Sequence, residues 1–407
     1  MTIEVTDKVL DGWATDEAGP VALHLKQKLV PVESVNGEPG VIFPPTYADI
    51  GYNIDTLSDG TRVASIDSVG SQANRLEPIF KAQPGQNRDQ WLAPQIQIVL
   101  RKEPCNECDA CRKAEPKKKK GACTNPRKVR CSIFDLAHRA ADAVVQSSPK
   151  LNELVKKAFQ SLQNGDAGPL CAVGPTSLVF GVWDSRGGTG EKRPRLVRSI
   201  IRAWDVEPLH AAAQFNSVWK ALDEEQKAEL EKEAKAKKTE LSEKGLADAP
   251  AVFRKTKLPQ YHDGSPNPEA RVLGGVIARG RIEREVTVNL VALRGLSSTE
   301  VIRKYLLGLS LMAATADIEL FLREGCHLRY AEQGDTWYEV PRRGESMEVK
   351  LGPTAIEKYA RTAAEPFRPK WKEKWPNDED LVYEFSLAKA KELLAKKTDG
   401  QEAVGSA

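Results

Sequence analysis

Five cysteines are crowded into one short, lysine-rich stretch of this sequence, with a spacing suited to binding a metal. They follow the pattern C-x2-C-x2-C, eleven residues, C, seven residues, C, at Cys105, Cys108, Cys111, Cys123 and Cys131. Four thiolates can hold Zn²⁺ tetrahedrally, and the bound metal can fold a segment with no hydrophobic core of its own. We predict a structural zinc site with Cys105, Cys108, Cys123 and Cys131 as ligands and Cys111 as the first substitute. Reduced thiols on a flexible loop are the alternative, and the spacing lacks the fourth cysteine and the proline of a ferredoxin-type iron–sulfur run.

A glycine-rich loop followed by arginines is the best candidate for binding phosphate. The loop spans Asp184 to Gly190. Its free amides can approach a phosphate backbone, and guanidinium groups bind phosphate through two parallel hydrogen bonds. The basic side chains of this segment are Arg186, Lys192, Arg193, Arg195 and Arg198. The loop lacks the G-x4-G-K-[ST] spacing of a P-loop, so ATP hydrolysis is not predicted.

The other side chains that could do chemistry give no catalytic pattern. The five histidines include none in an H-E-x2-H context, and the sequence has no G-x-S-x-G elbow. Asp67 and Asp184 are acids that could assist metal-dependent RNA cleavage, but an aspartate at the end of a strand or helix is more often a cap or turn residue. The sequence predicts that the protein is not an enzyme.

Charge and hydropathy restrict the classes of partner. The chain has 407 residues, 41% of them hydrophobic and 29% charged, and a net charge of only +3. Affinity for a nucleic acid must therefore come from local basic patches. The sequence shows no apolar run of membrane-spanning length and its first 30 residues do not look like a secretion signal, which predicts a cytoplasmic protein with no membrane partner.

The elements that must position these residues include both strands and helices, a mixture that is compatible with an α+β protein. Ser68 to Phe80 is predicted as a helix with one polar, amide-rich face, and Leu222 to Leu246 as a solvated helix of Glu, Lys and Ala. A core helix is predicted after a capping box at Ser297 and Glu300. Further predicted strands are Val41–Pro45, Trp91–Leu100, Ser177–Trp183 and Val272–Leu293, and further predicted helices are Ile133–Val144 and Ser386–Lys397.

Shifts in composition divide the chain into six segments. The predicted segments are 1–101, the N-terminal part of the main unit; 102–132, the cysteine- and lysine-rich insertion; 133–205, which carries the basic glycine loop; 206–270, a charged helical insertion; 271–397, the C-terminal part of the main unit; and 398–407, a disordered tail.

Four segments in the same order along the chain carry a family resemblance. They are DSVGSQANRLEPIF from Asp67, FDLAHRAADAV from Phe134, SLVFGVWDSRGGTGEKRPRLVRSIIRAW from Ser177 and FLREGCHLR from Phe321. Together they resemble the crRNA-binding backbone protein of type I CRISPR interference complexes, the RAMP-type seventh Cas family, in its I-U (also called I-G) variant. The cysteine insertion and the charged arm lie outside the resemblance.

The resemblance implies a palm with a ferredoxin-like, RRM-type sheet and helices, elaborated by finger and thumb insertions. It implies that several copies line up along the guide RNA with other CRISPR effector subunits and display the guide bases for pairing with target DNA. On this chain, the helix face with Ser71, Gln72, Asn74 and Arg75 would contact the RNA backbone. Arg186, Lys192, Arg193 and Arg195 would form a second contact with the RNA or with a neighbouring subunit.

Two other classes of function stay open. An endoribonuclease that processes or cuts RNA would lose its activity when a single acid or histidine is changed. A zinc-bearing scaffold that binds only proteins would purify free of nucleic acid.

Overall fold

The structure is a computed structural model, and it describes most of the chain. The described residues are 2–35, 37–47, 50–113, 123–184, 190–210, 217–239, 241, 244–247, 273–296, 299–332 and 335–395. Arg186, the lysine run 117–120, the predicted cap at Ser297 and the predicted tail 398–407 lie outside the described residues.

The described elements mix strands and helices throughout the chain. The strands are β1 (Thr2–Glu4), β2 (Ala22–Pro31), β3 (Val41–Ile42), β4 (Thr46–Tyr47), β5 (Gly51–Tyr52), β6 (Ile54–Thr56), β7 (Arg62–Asp67), β8 (Gln97–Glu103), β9 (Arg127–Ser132), β10 (Val182–Trp183), β11 (Lys192–Arg193), β12 (Val197–Trp204), β13 (Val206–His210), β14 (Leu273–Ala278), β15 (Ile282–Asn289), β16 (Phe321–Arg323), β17 (Cys326–Tyr330), β18 (Thr336–Val340), β19 (Met347–Lys350) and β20 (Val382–Glu384). The α-helices are α1 (Asp7–Thr15), α2 (Val69–Leu76), α3 (Asp109–Lys113), α4 (Ala143–Gln146), α5 (Pro149–Gln163), α6 (Gly168–Val173), α7 (Thr176–Val179), α8 (Glu224–Lys237), α9 (Leu290–Leu296), α10 (Glu300–Thr315), α11 (Pro353–Ala364), α12 (Arg368–Lys374) and α13 (Leu387–Ala395).

A ten-stranded sheet forms the centre of the fold. Its main path runs β1-β19-β18-β2-β15-β12-β7-β6, with β17 also on β2 and β16 on β17. The pairs between β2, β15, β12 and β7 are all antiparallel. Two three-stranded sheets, β13-β14-β3 and β20-β8-β9, and two hairpins complete the strand pairing of the described residues. The predicted α+β class is confirmed, and the large sheet with helices and insertions is consistent with an RRM-like palm.

One face of the central sheet is covered by helices and carries the main core. Alternate residues of a strand point to the same face, and here Leu23, Leu25, Val286 and Val288 pack with the buried side chains of α10. That helix is buried nearly all round, as its apolar sequence predicts. The main core is thereby built between β2, β15 and the centre of α10.

A second, smaller hydrophobic cluster lies further along the same strands. It includes Leu29, Ile282 and Ile201. Buried polar side chains lie between the two clusters in sequence, at Gln27 on β2 and Arg284 on β15, which face each other in the strand register. A polar row therefore separates the two hydrophobic clusters.

Two of the predicted local structures are wrong. The residues predicted as one helix from Ile133 form two 3-10 turns and the short helix α4. The carboxylate of Asp142 accepts hydrogen bonds from the backbone N–H groups of His138 and Val144, and Arg139 has a φ of 54°, so the periodic apolar residues do not continue as one helix. The predicted strand Ser177–Trp183 consists of the end of α7 followed by the two residues of β10.

Other predicted elements are shorter than expected. The helix predicted at Ser68–Phe80 is α2 followed by a 3-10 turn that contains Pro78, and α10 begins at Glu300. The strand predicted at Val41–Pro45 is reduced to the two residues of β3, and the strand predicted at Trp91–Leu100 begins only at Gln97, as β8. The last residues of the predicted strand Val272–Leu293 belong to the helix α9. Within the charged insertion, α8 is a helix with no buried residue, as its composition predicts. None of the helices in the described ranges is both long and apolar enough to span a bilayer.

Candidate nucleic-acid interface and metal centre

A groove of about 590 Å³ brings together the two segments that were predicted to contact RNA. Asn74 of α2 lines one wall, and the hairpin β10-β11 with the residues after it lines the other. The side chains that the hairpin segment contributes are Trp183, Lys192, Arg193 and Arg195. The groove therefore combines amide, aromatic and cationic groups, the set that contacts single-stranded RNA.

The helix α2 is fixed to the sheet by a buried polar network. Ser68 precedes the helix, and its side chain accepts a hydrogen bond from the N–H of Ser71. Gln72 is fully buried: it donates to the carboxylate of Asp67 at 2.7 Å and accepts from the hydroxyl of Ser199 at 2.7 Å. Arg284 donates to the same amide oxygen at 3.3 Å. Gln72 was predicted to contact RNA, but its side chain is buried against the sheet and does not line the groove.

Arg75 also has a structural partner. Its guanidinium forms an ion pair with Asp67 at 3.1 Å and donates to the carbonyl of Leu322 at 2.7 Å. Its side chain is 28% exposed, so part of it faces solvent. Asn74 is exposed on the groove side of α2 and Ser71 is partly buried. Of the four predicted residues on this helix, the structure places Asn74 best for contact with a ligand.

The hairpin β10-β11 presents a lysine and a tryptophan at the opposite wall. Trp183 is 62% exposed, and the ammonium group of Lys192 lies 5.4 Å from the centre of its ring. Gly181 has a φ of 81°, and a Cβ added there would meet Cγ of Arg195 at 2.6 Å. A residue with a side chain would therefore disturb the base of the hairpin.

The arginines after the hairpin are held in different ways. Arg193 pairs with Glu191 at 2.5 Å and donates to the carbonyl of Leu162 at 3.1 Å. Arg195 is exposed, while its Nε donates to the carbonyl of Phe180 at 2.8 Å. Arg198 is exposed on β12 and does not line the groove. The structure thus unites Lys192, Arg193 and Arg195 in one site and leaves Arg198 outside it.

A buried ion pair lies next to the groove. Arg139, which lines the groove but is only 5% exposed, contacts Glu77 at 2.8 Å. Burial raises the pKa of Glu77 to about 7, although the positive charge of Arg139 acts to lower it. The guanidinium of Arg139 also lies 5.2 Å from the ring centre of Phe180. This contact connects the 3-10 turn Arg139–Ala141 to the segment just before the hairpin.

The acids that could have assisted RNA cleavage are both buried. Asp67 is 1% exposed and pairs with Arg75 and Arg323, and Asp184 is 2% exposed. Neither residue lines the groove.

Four cysteines come together at the cysteine-rich insertion. The sulfur atoms of Cys105, Cys108, Cys111 and Cys123 all lie within 4.8 Å of one another, which is compatible with structural zinc. Backbone N–H groups point at the sulfurs: the N–H of Cys108 donates to Cys105 at 3.3 Å and that of Cys111 to Cys108 at 3.4 Å. Such donors stabilise thiolates, and the pKa of Cys108 is lowered to about 5, with the N–H groups of Thr124 and Cys111 as the main cause.

The four clustered thiols differ from the predicted ligand set in one member. Cys131 is not among the four clustered thiols, and Cys111 takes its place. Cys131 lies in β9 opposite Ile98 of β8, and this strand pairing packs it partly buried against the main core. Burial raises the pKa of its thiol. The spacing of the cysteines carries no information about the pairing of β9 with β8, which holds Cys131 apart from the loop.

Sequence reasoning also missed residues that line the groove. Trp183, His138 and Arg139 were not among the predicted contacts, although all three stand within the segments that carry the family resemblance. An exposed tryptophan next to a basic hairpin is the signal that could have identified Trp183.

Comparisons with known proteins relate the part of the chain that contains the groove to a CRISPR-associated family. The family model described as "CRISPR-associated protein GSU0053" matches residues 23–208, a range that contains both walls of the groove. Among solved structures, a chain titled "CRISPR RNA-guided surveillance complex, pre-nicking" is 10% identical, with 92% of this chain and 99% of that chain covered, at a TM-score of 0.31. A likeness of that size carries no argument about fold or function. No curated protein sequence matches the chain significantly. Over residues 23–208 the chain is similar to a CRISPR-associated family.

Proposed function

We propose that this protein binds CRISPR guide RNA as a repeated backbone subunit of a type I effector complex, and that the groove between α2 and the hairpin β10-β11 is its RNA-binding site. The observation that carries the proposal is the convergence of Asn74, Lys192, Arg195 and the exposed Trp183 on this groove. These side chains come from segments far apart in sequence that the fold brings together.

The family match supports the CRISPR part of the proposal. Residues 23–208 include α2, the hairpin and nearly all of β2 together with β6, β7 and β12 of the central sheet, so the similar part of the chain contains the groove. The family's description says that its members are CRISPR-associated, and guide RNA is the nucleic acid common to CRISPR effector complexes.

The chemistry of the groove suits a guide that is held by its backbone. Lys192 and Arg195 offer cations to phosphates, and Asn74 offers an amide to phosphate or 2′-hydroxyl oxygens. Trp183 offers a ring face on which any base can stack. None of these contacts reads a base edge, which is what a guide of variable sequence requires, because target DNA is recognised by pairing with the guide bases.

We further propose that the protein holds RNA without cutting it and that zinc supports the cysteine-rich insertion. The burial of Asp67 and Asp184 supports the first point, and the four clustered thiols of Cys105, Cys108, Cys111 and Cys123 support the second. Other copies of the chain and further CRISPR subunits are its proposed partners along the guide.

The proposal is tested by measuring RNA affinity as a function of salt concentration. Lys192→Ala should reduce the slope of log K against log salt by about 0.7, the amount expected for one phosphate contact with a single strand. Trp183→Ala should weaken binding by roughly 5- to 150-fold with an unchanged slope, because stacking of about 1–3 kcal/mol releases no counterions.

The matched control is Lys389→Ala, which removes an exposed lysine from α13, outside the family match. It should change neither affinity nor slope. Wild-type affinity and slope in both groove variants would refute the groove as the RNA site. Cleavage of the RNA during the measurement would favour the endoribonuclease alternative instead.

A further inference from the structure

A second basic pocket begins where the groove ends. It has a volume of about 330 Å³, and Arg193 lines both this pocket and the groove. Arg294 of α9 and Arg303 of α10 also line the pocket, next to Gly295 and the acidic Glu17. Three guanidinium groups from three separate elements therefore converge on this pocket, and the carboxylates beside them are Glu17 and Glu191, the partner of Arg193.

The two deeper arginines, Arg294 and Arg303, are largely buried. Arg294 is 9% exposed and donates to the carbonyls of Trp13 at 3.0 Å and Pro20 at 2.7 Å. Arg303 is 8% exposed, and its buried Nε has no hydrogen-bond partner among the described residues. A buried cationic group that is short of hydrogen-bond partners is costly, so an anion in the adjoining pocket would stabilise the Arg303 guanidinium through its charge.

The local charge balance favours an anion as that ligand. Burial, together with the positive charges of Arg342 and Arg303, lowers the pKa of Arg294. Asp16 and Glu17 oppose this effect, and Glu191 pairs with Arg193, so three carboxylates stand against the four guanidinium groups of Arg193, Arg294, Arg303 and Arg342. An anionic ligand would relieve the repulsion between the arginines.

We propose that this pocket, formed by Arg193, Arg294 and Arg303, holds a backbone phosphate of the same RNA strand that occupies the groove. The inference rests on the proposed function, because it extends the RNA path from the groove across Arg193. Guanidinium groups bind a phosphate through paired hydrogen bonds, and Arg193, which lines both sites, places the pocket next to the RNA in the groove.

The first test places a carboxylate at the pocket without removing any arginine. A Cβ added at Gly295 meets no atom within 4 Å, so side chains fit there without displacing the fold. Gly295→Asp should weaken binding of a single-stranded guide RNA roughly ten-fold or more, the effect of one lost contact to a charged group. Gly295→Asn adds a side chain of the same size without the charge and so measures the steric part of the effect, and Gly295→Asp should bind roughly ten-fold more weakly than Gly295→Asn.

The second test locates the phosphate by a double-mutant cycle. Single methylphosphonate linkages, which remove one phosphate charge, are scanned along the RNA, and their penalties are measured with wild-type protein and with Arg303→Gln. At one position, the methylphosphonate should lower the RNA affinity of wild-type protein roughly ten-fold and leave the affinity of Arg303→Gln almost unchanged, because both changes remove the same contact. If Arg303→Gln does not fold, the same cycle is run with Gly295→Asp.

The outcomes separate the pocket from the groove. If Lys192→Ala and Trp183→Ala weaken binding while Gly295→Asp binds as wild type, the phosphate subsite is refuted and the proposed function stands. A further outcome is that Gly295→Asp weakens binding while every methylphosphonate lowers the affinity of the pocket variant, Arg303→Gln or Gly295→Asp, as much as that of wild type. The pocket would then influence the RNA only by long-range charge, without contacting a phosphate, and the inference is also overturned. If no groove variant weakens binding, the proposed function itself fails.

Discussion

Glu77 and Arg139 form a buried ion pair in the wall of the groove. The two side chains are 0% and 5% exposed and lie 2.8 Å apart, so each charge is removed from water and paired with the other. The desolvation of such a pair costs free energy that the attraction offsets only in part. For that reason burial, and not the neighbouring cation, determines the direction in which the pKa of Glu77 moves.

This shift predicts a pH-dependent stability. The pKa of Glu77 is raised from 4.5 to about 7, so between these values the folded protein binds more protons at this residue than the unfolded chain does. Stability from this group is therefore complete below pH 4.5 and is lost as pH rises through about 7. Measured by urea denaturation, the unfolding free energy of wild type minus that of Glu77→Gln should fall from pH 5 to pH 8, by at most about 3 kcal/mol.

The control for this measurement is Glu153→Gln on α5. Lys157 lowers the pKa of exposed Glu153, so its titration lies below the tested range and its difference from wild type should stay flat. A flat difference for Glu77→Gln as well would mean that Arg139 keeps Glu77 ionised throughout.

At the residue scale, the sequence identified the kind of side chain in the groove better than its orientation. Asn74 and Lys192 were predicted as contacts and do line the groove. Gln72 was predicted with them but faces the sheet, because Ser199 and Arg284, on strands far along the chain, donate hydrogen bonds to its amide oxygen. Helical periodicity alone gives no information on such distant polar partners.

At the scale of elements, the close contact between α10 and α11 depends on a glycine. A Cβ added at Gly308 would lie 2.8 Å from Cα of Ala360. A backbone atom cannot move aside as a flexible side chain can, so the two helices would have to separate. The small residues at this crossing therefore set the distance between a core helix and the helix outside it.

Gly308→Ala should accordingly destabilise the protein by about 1–3 kcal/mol, through strain between the two helices. The matched control is Gly12→Ala in α1, where an added Cβ meets nothing within 4 Å. It should stabilise the protein by about 0.5–1 kcal/mol, since alanine is favoured over glycine inside a helix. Denaturation midpoints in urea measure both, and an equal stabilisation by the two substitutions would show that α10 and α11 are not packed this closely.

Elements with a strong local pattern were predictable and those with competing local bonds were not. The apolar helix α10 and the charged helix α8 follow directly from their composition. The stretch after Ile133 has helical periodicity too, but the side chain of Asp142 competes for backbone N–H groups and Arg139 adopts a positive φ. Short-range polar bonds of this kind override a periodic apolar pattern.

At the scale of the whole molecule, the α+β class could be predicted but the order of the strands could not. The edge strand β1 pairs with β19, and β2 pairs with β15, so the neighbours in the sheet come from opposite ends of the chain. Strand pairing over such separations depends on three-dimensional packing, for which a single sequence has no local signal.

The cysteine cluster lies apart from both hydrophobic clusters. Cys105, Cys108, Cys111 and Cys123 belong to neither, whereas Cys131 packs partly buried against the larger one. The insertion and the main core should therefore behave as separate units of stability, with bound zinc supporting only the insertion.

Removal of the metal should unfold the insertion and leave the rest of the protein folded. In zinc-loaded protein, a chelator should speed amide exchange in residues 105–113 and 123–126 while the core strands β2 and β15 stay protected. Cys111→Ser should lower bound zinc well below one equivalent by metal analysis, because a thiolate ligand is lost, and Cys131→Ser should retain it. The reverse result, with zinc lost from Cys131→Ser and kept by Cys111→Ser, would restore the ligand set predicted from spacing alone. Loss of protection in β2 and β15 on chelation would instead show that the metal supports the whole fold.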